Sequence, residues 1–140
     1  MSQGDPIGRL FNLVHAADDV YVSLKDAGAV TFIGHLTAGD TFTFTEATTA
    51  AGGSAAVLAT VTSKNTVAVA GGTWTTTAQA AASTVVTTGA EVVTATIRAE
   101  ELSAGFSYIK CASTSTGTVM AILHDLKVQR TPANLASPIA

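Results

Sequence analysis

The run Thr41-Phe42-Thr43-Phe44-Thr45 constrains the fold of this chain more than any other. Successive side chains of a strand point to opposite faces. The two phenylalanines therefore share one buried side and the three threonines the other. Asp19-Val20-Tyr21-Val22-Ser23-Leu24-Lys25 repeats the pattern, with Val20, Val22 and Leu24 on one face. Asp26-Ala27-Gly28 then reads as a turn and Ala29 to Leu36 as the next strand, which together predict a hairpin. Ala38-Gly39-Asp40 is the turn that leads into the Phe42 strand.

Further short segments follow. Glu46 to Gly53 is open between a helical turn ended by glycine and a plain loop. Val57 to Lys64 reads as a strand, Lys64-Asn65 as a turn, and Thr66 to Ala70 as a second strand or hairpin arm. Gly71-Gly72 marks a bend before the strand-like Thr73 to Thr77. Ala78 to Ala82 has helical propensity and predicts a helical turn or irregular link. Val85-Val86 and Val92 to Ile97 are strands, and Arg98 to Gly105 is one helical turn stopped by its glycine. Phe106 to Ala112 and Thr118 to Arg130 complete the set, the last with a bend near His124-Asp125.

About eight to ten short strands, with turn signals roughly every ten residues, predict an all-β sandwich, jelly roll or barrel. Residues 1–17 are expected to form an N-terminal arm and first strand, residues 18–130 a single β domain, and residues 131–140 an extended tail. Two prolines within that tail keep it out of a sheet interior.

Charge narrows the function. Only 12% of the 140 residues are charged, about half the ~25% of an ordinary soluble domain. The seven Lys and Arg are scattered, so no basic stripe exists to neutralise a phosphate backbone, and nucleic acid is not an expected partner. Mean hydropathy is +0.39. No run approaches the ~18 consecutive apolar residues of a membrane helix, so no membrane partner is expected either. Met1 to Pro6 lacks the basic and apolar regions of a signal peptide. Cys111 is the single cysteine, which excludes an intrachain disulfide.

The residues with reactive side chains do not converge in sequence. His15 with Asp18 and Asp19 is the nearest approach to a metal cluster and reads better as a solvated turn. His124-Asp125 are neighbours on a strand, so they are expected to face opposite ways, with His124 partly buried and Asp125 at a bulge. Lys110 beside Cys111 would favour a thiolate, but a lone strand cysteine is more often a small core hydrophobe. Glu100-Glu101 beside Arg98 reads as a solvated helical turn, and the Gly-rich stretches match no phosphate loop. The expectation is a non-enzyme with no catalytic residues, cofactor or metal. Trp74 is open between an interface anchor, a sugar-stacking ring and a sheet-face residue.

Threonine-rich faces are polar without being charged, so another protein can cover them without burying ions. Free β-proteins guard their edges with Lys, Pro or bulges, whereas Thr41 to Thr45 and Thr66 to Ala70 carry no charge. Some edges are therefore expected to be covered by sister subunits or a partner lattice. The contact elements expected are Pro6 and Ile7 in the arm, Trp74, and Pro132, Leu135, Pro138 and Ile139 in the tail.

Thr31-Phe32-Ile33-Gly34-His35-Leu36-Thr37-Ala38-Gly39-Asp40-Thr41-Phe42-Thr43-Phe44-Thr45-Glu46-Ala47 resembles small structural proteins encoded among tailed-phage head genes. Gly72-Thr73-Trp74-Thr75, the Arg98 to Phe106 stretch and Ala121 to Leu135 are similar to the same group. The likeness spans most of the chain from residue 18. It implies a capsid decoration, or cement, protein with a β-sandwich, jelly-roll-like or β-tulip fold. Such a protein would sit on the outer surface of the virion after synthesis in the host cytoplasm. Its partner would be the major capsid protein, and it would form a homo-oligomer, a dimer or trimer. The alternatives are a tail-tube or other virion subunit, for which a long hairpin at Val57 to Ala70 would serve ring assembly, and a carbohydrate-binding or adhesive β-domain.

Overall fold

A computed structural model describes residues 11–58, 61–82, 84–114, 118–128, 134 and 136–139. In chain order the strands are β1 (Phe11–Val14), β2 (Tyr21–Ser23), β3 (Ala27–His35), β4 (Thr41–Ala47), β5 (Ala56–Val57) and β6 (Val61–Ala68). They continue with β7 (Thr75–Ala82), β8 (Thr84–Val86), β9 (Glu91–Arg98), β10 (Tyr108–Ser113) and β11 (Thr118–Leu126). One 3-10 turn, Ala99–Glu101, lies between β9 and β10.

Hydrogen bonding sorts the strands into two antiparallel sheets. One runs β1-β11-β3-β9-β6-β7, the other β2-β10-β4-β5, with β8 also paired to β4. Their inner faces meet in one apolar core, so the expected all-β sandwich is the observed architecture. The period-two reading holds where it was sharpest. Phe42 and Phe44 of β4 are buried, and the Phe44 ring packs 5.7 Å from that of Phe32 on β3. Val93, Ala95 and Ile97 of β9 and Val119, Ala121 and Leu123 of β11 fill the same layer at alternate positions. Gly34 is required at the contact between sheets, because a Cβ there would stand 2.6 Å from the Phe42 ring.

Five local expectations are corrected. Strands β2 and β3 do not form a hairpin: β2 pairs with β10, while β3 lies between β11 and β9 in the other sheet. Lys25-Asp26 carries the chain from one sheet to the other, and alternation along a strand does not say which strand it will pair with.

Lys64-Asn65 is not a turn, since β6 runs straight through it. Asn65 Oδ1 accepts from Thr76 Oγ1 at 2.6 Å, and its Nδ2 reaches Thr94 Oγ1 at 3.4 Å. The amide that would have made a local turn is used by the two flanking strands instead.

Ala78 to Ala82 is extended as part of β7, because pairing to β6 overrides a weak helical preference. The hairpin is therefore β6–β7, with its tip at residues 69–74, and it replaces the one expected at Val57 to Ala70. Finally, β11 holds an unbroken register past Asp125, with His124 opposite Ala29 and Leu126 opposite Ala27, so there is no inserted residue. The bend arises because Asp125 itself is left-handed, with φ of 53°. Gly28 makes room for it, since a Cβ at Gly28 would lie 2.9 Å from that of Asp125.

Candidate functional site

Several of the polar side chains singled out above are bound into structural roles. Asp18 Oδ1 accepts the Ser113 N–H at 2.8 Å, and Asp19 Oδ1 lies 2.6 Å from Lys110 Nζ. Both acids of the His15 cluster are thus engaged by β10 and the residues around it. Lys110 also stands over the Tyr21 ring, and its hydrogen bond to Asp19 raises its pKa. Cys111 is buried in the core. Burial above all, and then the nearby Asp18 and Asp40 carboxylates, push its thiol far above the ordinary range. That is the reverse of what a nucleophile needs.

His124 and Asp125 do touch, contrary to the expectation from strand parity. Their Nδ1 and Oδ2 atoms are 3.2 Å apart, because the left-handed backbone at Asp125 swings its carboxylate back. Nε2 of the same ring lies 3.0 Å from Thr31 Oγ1 on β3. Glu101 Oε2 accepts the Arg98 N–H at 2.6 Å and caps the 3-10 turn. Among the described residues, no group of three or more His, Cys, Asp and Glu lies close enough to hold a metal.

Two buried carboxylates escaped the sequence reading. Glu46 is 3% exposed and accepts from Ser103 through N–H at 2.7 Å and Oγ at 2.5 Å, pinning the loop before β10. The parity that buries Phe42 and Phe44 extends to Glu46, so the signal was present. Asp40 has the same parity, but it falls in the turn Ala38-Gly39-Asp40, where alternation does not predict burial. Its Oδ1 accepts from Thr41 N, Thr114 N and Thr114 Oγ1, at 2.6, 2.9 and 3.0 Å, and its main chain pairs with Thr87. It ties three loops at one end of the sandwich.

The remaining feature is the set of strand edges, where the sequence placed the contacts. Pro6, Ile7, Pro132 and Leu135 lie outside the described residues. The Pro138 carbonyl accepts the Ser23 N–H at 2.7 Å, and Asn12 Nδ2 reaches the Ala136 carbonyl at 3.3 Å. Residues 136–138 therefore lie against β1 and β2 of their own chain. They roof a cavity of about 210 Å³ whose walls include Tyr108, Leu123 and Leu126. Ile139 next to it is half exposed.

Strand β7 is different. It ends the six-stranded sheet and, among the described strands, pairs only with β6. Residues 71–78 are all exposed, so neither face of Thr75 to Ala78 is covered, and Trp74 at its head is 52% exposed. The strand Thr75–Ala82 carries no charge and no proline. Lys64 of β6, opposite Thr77, donates to the Val86 carbonyl. At the far end one β6 residue faces three of β7, between the pairs Val61–Ala82 and Ser63–Ala78, which is a bulge. Thr75 to Ala78 is left as a regular, neutral, open edge.

Comparisons with protein-family models, curated proteins and solved structures found no match. What the geometry defines is a class: an antiparallel β-sandwich with a neutral edge strand that, among the described residues, no second strand covers.

Proposed function

We propose that this chain is a virion structural protein that binds the outside of a phage capsid and stabilises it by bridging copies of the major capsid protein. The observation that carries this reading is the β7 edge at Thr75 to Ala78, exposed on both faces, uncharged and headed by an exposed tryptophan. Free β-proteins protect such edges, and covering a neutral one buries no ions. An exposed Trp is a typical anchor at a protein interface. The resemblance to phage head proteins points to the lattice that would supply the cover. Its mechanism is multivalent: modest contacts repeated around a shell sum to a large stabilisation.

The test is to mix the purified protein with heads that lack any decoration. It is expected to co-sediment with them, to appear as density on the outer shell by electron microscopy, and to raise their melting temperature. Protein that remains in the supernatant at saturating concentration would remove the reading. The β6–β7 hairpin favours a second reading, a ring- or tube-forming tail subunit, in which case microscopy of the purified protein shows tubes or rings.

A further inference from the structure

The described edges are not equivalent. Strands β2 and β5 have three and two residues, and β1 and β2 already bond the tail through Asn12 and Ser23. Strand β7 has nothing along its outer side among the described pairings, and its regular stretch, Thr75 to Ala78, continues from the exposed Trp74. Unpaired strand N–H and C=O groups are matched by another extended strand.

We propose that the mate is a second copy of β7, joined antiparallel about a twofold axis so that the six-stranded sheet continues through both molecules. This rests on the assembly reading above and names the first partner in that assembly. A charged edge placed against itself sets like charges opposite one another, and this edge has none to repel. With Thr76 opposite Thr76, Thr75 faces Thr77 and each Trp74 faces the mate's Ala78. Trp74, Thr76 and Ala78 share one face by strand parity, so each indole lies over a small exposed side chain. The bulge at the distal end keeps the pairing to this short regular stretch.

The experiment uses the full chain. Directly opposed residues of an antiparallel pair have Cα atoms about 4.5–5.5 Å apart, within disulfide range. Thr76→Cys is therefore expected to form a covalent dimer under mild oxidation, and Thr88→Cys, at an exposed loop site away from the edge, is not. Cys111 is buried and takes no part. Light scattering should find the unmodified protein dimeric. Thr76→Lys, which sets two ammonium groups face to face, should shift it to monomer with at least a roughly tenfold weaker association. Trp74→Ala should weaken it in the same direction, and circular dichroism checks that both variants stay folded.

A protein monomeric at about 1 mM, a trimer, or a Thr76→Cys variant that cross-links no faster than Thr88→Cys overturns the proposal. Binding of monomeric Thr76→Lys to heads is measured separately. If it binds, the capsid reading stands without regard to the joint. If unmodified dimers form but never bind heads, the joint stands and the capsid reading fails.

Discussion

Cys111 shows how position along a strand decides the chemistry of one residue. Its neighbour Lys110 points outward to Asp19, while the thiol faces the core and is held neutral. The sign of the resulting pH dependence is fixed. A thiol whose folded pKa lies above its ordinary 9.0 ionises first in the unfolded chain, so the folded state loses stability as pH rises past that value. Lys110 acts in the same direction, because its bond to Asp19 contributes fully below its ordinary 10.5 and is lost as pH climbs through the raised folded value. Denaturant titrations above pH 9.0 should show unfolding free energy falling by about 1.4 kcal/mol per pH unit for the thiol alone. Cys111→Ala should flatten that slope, whatever it does to stability at neutral pH; an unchanged slope would contradict the assignment. The sequence allowed both fates for this cysteine, and the tendency of a lone strand cysteine to be buried favoured the correct one. Side-chain parity misled at His124, where the left-handed Asp125 breaks the parity rule, because no pattern of residue types announces a single backbone reversal.

At the scale of elements, most strands were readable and their partners were not. Strand β4 follows from alternation and β9 and β11 from runs of β-prone residues, both of which depend only on neighbours in sequence. Strand β7 was obscured by its alanines, and the continuity of β6 by Lys64-Asn65, because in both cases the deciding contacts come from a strand distant in sequence. The tail was expected to be extended and free of sheet interiors. What sequence did not show is that residues 136–138 settle on β1 and β2 of their own molecule. Truncation after residue 128 should unmask the Ser23 amide, with faster hydrogen exchange there. It should also lower stability by about 0.5–1.5 kcal/mol for the bond lost. Exchange at Ser23 that does not change would mean that the Pro138 bond is not formed in solution.

For the whole molecule, low charge is both the clearest composition signal and the main physical consequence. Surfaces without ions are little affected by screening. The dissociation constant of the dimer should therefore change by less than about threefold between roughly 50 and roughly 500 mM salt. A steep weakening, read by sedimentation equilibrium, would show that ionic contacts hold the subunits. The candidate edge was only partly legible. Trp74 and the neutrality of the chain were visible, but which neutral strand lies open depends on the sheet order, and that is a property of the assembled sandwich.

The strap from Pro138 to Ser23 has one more implication. A joint between two identical edges consumes both of them, and the smaller sheet has its β2 side partly occupied from within. In the proposed joint, growth through β7 therefore halts at a couple, so that edge could not seed endless ribbons however much of this protein a cell accumulated.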